Sequence, residues 1–323
     1  MIKVSICVIT YNQEMYIEQC LRSLISQITD FPFEILVADD LSHDRTREII
    51  TKISQEYPNL VRPLFNDINL GVNLNLLNVM KQAKGEYIAL CEGDDYWSCE
   101  SKIKLQANFL DRNHECSLCV HPCLVDDGGN DGGVQFAISD SIYRFGPQDV
   151  LNVSGQFAPT ASYMFKAADL DALPNWFGTA PVGDFFMEMY YLTRGFGAFL
   201  PEVMSVYRVN ALNSWSLRNT EAKNIQWMST AISMRDCIRK MRQDPRFANC
   251  DFNRKESAVC FNIAVASLMS KNYPIFKVSI YDSWKLSPRQ SLTQTVLRAL
   301  WAVPQIAGYI YGVKRRMDRI RSR

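Results

Sequence analysis

The sequence predicts an α/β fold, a sheet of parallel strands with helices on both faces, followed by a helical region. Through the first ~95 residues, short apolar runs alternate with stretches of helical periodicity in the order β-α-β-α-β-α-β, a pattern that requires crossover connections and so a parallel sheet. Polar residues collect where those apolar runs stop: Thr10 and Asn12, Asp39 and Asp40, then Glu92, Asp94 and Asp95. Sheets of this kind bind ligands beyond the carboxyl ends of their strands. From residue 216 onward the pattern is helical, which divides the chain into an α/β domain over 1–215 and a helical region over 216–323.

Residues 4–9 make the first strand, ended by Thr10-Tyr11-Asn12. Ile17, Leu21, Leu24 and Ile28 then recur at helical spacing. Residues 34–38 make the second strand, and Ser42 or Asp44 caps the helix that runs through Ile49 and Ile50. A third strand over 62–65 and a turn at 69–71 lead into a helix marked by Leu70, Leu74, Leu77 and Met80, closed at Gly85. The fourth strand, 87–91, stops on three carboxylates within four residues. Like charges that close raise one another's pKa. A divalent cation among them removes that cost, since hard cations take oxygen ligands, and a metal at a strand end suits a diphosphate. An acidic turn in water explains any one of these strand ends, and explains the accumulation of acids on one edge less well.

Residues 101–110 read as a helix packed on the sheet. Residues 117–125 read as one strand with Cys119, His121 and Cys123 on one face. Three same-face positions on a rigid strand span ~13 Å, too far for one tetrahedral zinc ion. Residues 126–133 are a turn without the spacing of a calcium-binding loop. A strand is expected over 157–165, a helix opened by Asp184, and a last strand over 195–208. Four helical stretches follow, 221–242, 255–270, 273–287 and 292–323, the last broken at Pro304.

Composition excludes several classes. A net charge of +1 gives no general attraction to nucleic acid. The turn after the first strand, TYNQEM, lacks the glycines of a dinucleotide-binding dehydrogenase, and no P-loop is present. No stretch reaches the ~20 apolar residues of a spanning helix. The ten cysteines form no framework and the first residues read as a strand rather than a signal peptide, so reduced thiols in a cytoplasmic protein are expected.

Four ordered motifs carry a resemblance: VSICVITYN at 4–12, VADDLSHDRT at 37–46, NLG at 69–71 and EGDD at 92–95. Together they resemble glycosyltransferase family 2 with its GT-A fold, a Rossmann-like mixed sheet flanked by helices. The match covers about the first 110 residues and continues more weakly to about 215. It implies an inverting transferase that uses a nucleoside diphosphate sugar, with UDP expected, and Mn²⁺ or Mg²⁺. By motif position, Thr10 and Asn12 lie near the nucleotide, Asp40 accepts an N–H of the base, Asp94 lies near the ribose and Asp95 binds the metal in this chain's DXD motif. Glu92 stands where the family often has Asp. On residue pattern alone Asp184 is a first-turn acid; the resemblance makes it the catalytic base, with Glu188 one turn on as the second candidate. Such a base takes the acceptor proton while the sugar's C1 is attacked, and a metal steadies the departing diphosphate. Many relatives carry a His two residues after the Arg208 equivalent. This chain has Asn210, which implies a more weakly held ion. The Q-x-x-R-W motif of processive synthases is absent, which favours a single-addition transferase over a synthase; a hexosyl- or N-acetylhexosaminyl-transferase is expected.

The resulting expectation is a sugar transferred from a UDP-sugar to a hydroxyl of a saccharide or lipid-linked glycan, as in polysaccharide biosynthesis. The rivals are a sugar nucleotidyltransferase, which should show a Gly-rich, basic signature near its first strand, and a non-catalytic glycan- or membrane-binding module with a degenerate site. The last ten residues hold six basic groups and one acid after the uncharged run 299–313. Residues 292–323 therefore suit either a packed helix with a solvated tail or a helix lying on an anionic membrane surface, peripheral on the inner face of the cell membrane.

Overall fold

The structure, a computed structural model, describes residues 1–128, 131–209, 211–212 and 225–321. Asn210, residues 129–130 of the expected turn and residues 221–224 of the first expected C-terminal helix lie outside them. The chain forms two compact units, residues 1–150 with 156–218, and residues 151–155 with 219–323.

The first unit begins β1 (Val4–Thr10), α1 (Ile17–Ile25), β2 (Phe33–Asp39), α2 (Thr46–Glu56), β3 (Val61–Phe65), α3 (Val72–Met80) and β4 (Tyr87–Glu92). These four strands are parallel in the order β3-β2-β1-β4. Residues of both parities in β1 and β4 are buried, as expected of parallel strands covered on both faces. Val4, Ile6 and Val8 pack with Ile35, Val37 and Ala89 against Ile17, Leu21 and Leu24 of α1. Each Val, Ile or Leu side chain so removed from water contributes about 1.5–3 kcal/mol.

The chain continues through β5 (Tyr96–Trp97), α4 (Lys102–Arg112), β6 (Cys116–Val120), β7 (Cys123–Asp126), β8 (Asp131–Gln135), β9 (Tyr143–Phe145), α5 (Pro147–Asn152), β10 (Met164–Lys166), α6 (Asp184–Tyr191), β11 (Phe196–Phe199) and β12 (Ser205–Arg208). The main sheet is mixed, with eight strands in the order β3-β2-β1-β4-β10-β6-β11-β9; a second sheet runs β5-β12-β7-β8. β10 enters antiparallel between β4 and β6.

Four expected boundaries are corrected. The strand over 117–125 is two strands, because Pro122 has no N–H to continue a ladder and the chain passes from the main sheet into the second one. Cys119, His121 and Cys123 therefore do not share one strand face. The run 195–208 divides in the same way on either side of Pro201. Residues 157–165 hold a 3-10 turn at Thr160–Ser162, and only 164–166 extend as a strand. Asp131–Gln135, which overlaps the turn expected over 126–133, pairs antiparallel with β7.

The second unit holds α7 (Ile225–Arg242), α8 (Asn253–Met269), α9 (Tyr273–Leu286), α10 (Leu292–Ala299) and α11 (Pro304–Arg321). Its core gathers Ala264, Val265, Leu268, Phe276, Ile280, Leu297 and Ala307. Pro304 starts a new helix, where its missing N–H costs nothing.

Candidate active site

The register aligns Thr10 with Asp39 and Ile9 with Glu92. Three strand ends therefore stand side by side, ~4.8 Å apart. Thr10 Oγ1 donates to Gln13 Oε1 at 2.7 Å. Asn12 is left-handed at φ 53°, a conformation Asn tolerates better than most residues. Its N–H donates to Ser42 Oγ at 2.8 Å and its Oδ1 accepts from the His43 N–H at 2.8 Å, which ties the turn after β1 to the turn after β2. Asp39 is fully buried and accepts from Arg47 Nε at 2.5 Å. Asp40 accepts the N–H groups of Leu70 at 2.7 Å and Gly71 at 2.8 Å, and Asn66 Nδ2 at 3.0 Å. Gly71 meets this demand at φ 80°, where a Cβ would be strained. Asp40 thus closes the turn before α3, and among the described residues Oδ2 keeps one lone pair for another donor.

Gly93 lets the end of β4 lie against the β1 turn: a Cβ there would stand 2.5 Å from Gln13 Oε1 and 2.8 Å from Thr10. The acids on either side differ in setting. Asp95 is 1% exposed; its Oδ1 accepts the Arg208 N–H at 2.9 Å, and its Oδ2 is buried with no hydrogen-bond partner among the described residues. Burial, then Asp94 and Glu92, push its carboxyl well above the usual range. Burial raises Asp94 too, against a hydrogen bond from Gln13 and the Arg208 charge. Glu92 is raised to about 8 by burial, then by Asp94 and Asp184. Arg208 Nη1 donates to the Asp94 carbonyl at 2.6 Å and Nη2 to Gln19 Oε1 at 2.5 Å, with the guanidinium over the rings of Tyr96 and Tyr16.

Asp184 opens α6, where the positive end of the helix dipole favours an acid. Its charge acts on Glu92 and on Tyr163, so the acid on α6 shares the neighbourhood of those on β4. The approach to it is pinned from α3. Asn73 Nδ2 donates to the Ala180 carbonyl at 2.8 Å, and a Cβ on Gly183 would stand 2.7 Å from Asn73 Oδ1. Glu188 is 1% exposed and accepts from Tyr163 Oη at 2.6 Å and the Ala158 N–H at 3.2 Å, which anchors α6 to the segment before β10.

Metal fit rests on Asp95. No group of three His, Cys, Asp or Glu side chains is arranged for an ion among the described residues. The orphaned Oδ2 of Asp95, on a carboxyl raised by burial and by Asp94 and Glu92, still fits a divalent ion of the kind held by one or two carboxylates, with substrate phosphates and water completing its shell. A cavity of about 340 Å³ lies beside this edge, lined by Asn12, Gln13, Tyr16, His43, Asp44 and Leu212 among others.

Gln13, Asn73 and Arg208 hold the candidate residues in place, and reading the sequence for function gave none of them a role. Gln13 adjoins the singled-out Asn12. Asn73 and Asn75 interrupt an apolar helical run, which is the signal that could have found them, and the structure buries both.

A family model described as "Glycosyl transferase family 2" matches residues 5–173. An uncharacterized protein of Mycobacterium tuberculosis is 37% identical over 222 residues, 68% of this chain and 62% of its own length. The poly(ribitol-phosphate) beta-N-acetylglucosaminyltransferase TarS of Staphylococcus aureus is 39% identical over 124 residues, 37% of this chain and 21% of that protein. The chain thus spans under two thirds of the curated relatives it matches. In structure, TarS 1-349 in complex with UDP-GlcNAc superposes with a TM-score of 0.64 at 17% identity, over 95% of this chain and 89% of that one. The mannosyltransferase PcManGT of Pyrobaculum calidifontis, in complex with GDP-Man and Mn²⁺, gives 0.56 at 16% identity, over 96% and 87%.

Proposed function

Because the chain belongs to glycosyl transferase family 2, we propose that it is an inverting glycosyltransferase. It moves a hexose or N-acetylhexosamine from a nucleoside diphosphate, UDP foremost, to a hydroxyl of a saccharide or lipid-linked glycan. The observation that carries this reading is the row of three parallel strand ends that gathers Thr10, Asp39 and Glu92 on one edge, with Asp184 at the start of α6 within electrostatic reach of Glu92. Donor-side and acceptor-side carboxylates are the two parts such a transfer needs. The solved complex of TarS with UDP-GlcNAc supports a uridine donor.

Thr10, Asn12 and the cavity beside them take the nucleotide, Asp40 offers its remaining lone pair to a base N–H, and Asp94 lies toward the ribose. Asp95, with Asp94 beside it, would hold Mn²⁺ or Mg²⁺ together with the donor's phosphates; the ion would supply positive charge for the departing diphosphate. Asp184 accepts the proton of the attacking hydroxyl. The acceptor oxygen bonds to C1 as the bond from C1 to the diphosphate oxygen breaks, and the electron pair leaves with the nucleoside diphosphate. Glu188 is held by Tyr163 and Ala158, so Asp184 is the better base. The acceptor rests on the segments about 126–160, which hold the connections among β7, β8, β9 and α5, and 176–184, presented at the inner face of the cell membrane.

Asp184→Asn should lower transfer by about 10²–10⁴-fold while the donor's dissociation constant, read by calorimetry, stays near wild type. Retained turnover would remove Asp184 as the base.

A further inference from the structure

α11 is apolar on two faces, and the bundle uses only one. Pro304 and Ala307 are buried, and Tyr311 packs on the cluster around Leu268 and Leu297. On the other face Ile306, Tyr309, Ile310, Val313 and Met317 are 39–75% exposed. At 3.6 residues per turn these five fall within an arc of about 100°, while Lys314 and Arg316 flank its centre by about 80° on either side. Both flanking residues are exposed, and Lys314 Nζ donates to Thr293 Oγ1 at 2.8 Å. Just before the helix stands Trp301, 39% exposed, its Nε1–H donated to the Lys277 carbonyl at 3.1 Å.

Soluble monomers rarely leave so continuous an apolar strip in water. Its edging of positive charge selects the cover: an anionic surface that is apolar beneath. No helix among the described residues is long and apolar enough to cross a membrane, so the geometry suits a helix lying in the interface plane, with an aromatic ring at headgroup level. We propose that this face of α11 docks on a bilayer rich in anionic lipid, the strip seated at the acyl boundary and Lys314 and Arg316 against lipid phosphates. The basic run from 314 to 323 adds to the attraction.

The test is co-sedimentation of the full chain with vesicles, a readout independent of transfer activity. Vesicles of phosphatidylcholine mixed with phosphatidylglycerol should bind the protein; pure phosphatidylcholine should hold far less. Lys314→Gln with Arg316→Gln should weaken binding to the mixed vesicles by about 25-fold, about fivefold per charge. Ile310→Asp should abolish it with an unchanged thermal midpoint. The proposal is overturned if both vesicle types bind alike, or if the variants sediment like wild type. It is equally overturned if the protein ignores lipid and forms a dimer that Ile310→Asp separates, since a second copy would then be the cover.

Discussion

Glu92 shows what crowding acids at a strand end does to a single side chain. Its carboxyl, ordinarily at 4.5, is raised to about 8 by burial and by Asp94 and Asp184. Between those values the folded chain keeps a proton that the unfolded chain has released. Stability therefore falls as pH rises from about 4.5 to about 8 and is level above. Glu92→Gln keeps the shape and removes the titration. In buffer free of divalent ions, its thermal midpoint should exceed wild type at pH 8 and match it near pH 4.5. A constant difference across that window would mean that Glu92 does not carry the shift. Gly93 beside it is a packing requirement, since the β1 turn occupies the space of its missing side chain.

At the scale of elements, the site depends on one helix holding the loop that leads to another. Asn73 on α3 reaches the Ala180 carbonyl and lies against Gly183, one residue before Asp184. Asn73→Ala leaves the helix intact but frees that loop, and removing one buried hydrogen bond costs about 1–3 kcal/mol. Turnover should drop by tenfold or more, since small misplacements of a reacting group are expensive, while the donor KM changes little. A rise in donor KM with turnover unchanged would place Asn73 on the nucleotide side instead. Pro122 and Pro201 act at this scale too. Each ends a strand of the main sheet and sends the chain to the second sheet, where β12 delivers Arg208 to Asp94 and Asp95.

For the molecule as a whole, ligand binding and stability are linked. A donor that binds only the folded chain stabilises it by about 2.7 kcal/mol at one hundred times its dissociation constant. UDP-sugar with Mn²⁺ should therefore raise the thermal midpoint by a few degrees, and chelation or Asp95→Asn should remove the gain. A full shift in the chelated Asp95→Asn protein would show that the acids hold no ion needed for the donor. Much of this architecture was legible in advance. The four-strand alternation and the acids beyond it follow from local periodicity, which each segment carries within itself. The second half was less legible, because a run such as SLCVHPCLV shows extended propensity without saying which sheet each part joins.

The sequence by itself determined the parallel half of the sheet, the edge where polar side chains gather, and the basic close of the last helix. Tertiary structure alone decided that Asp40 is spent largely on the 66–71 turn, that Glu188 is locked by Tyr163, and that Asp184 comes within electrostatic reach of Glu92. The physical reason is range. Strand and helix periods are set by neighbours a few residues apart, whereas the electrostatic influence of Asp184 on Glu92 links groups about ninety residues apart and exists only once the core has packed.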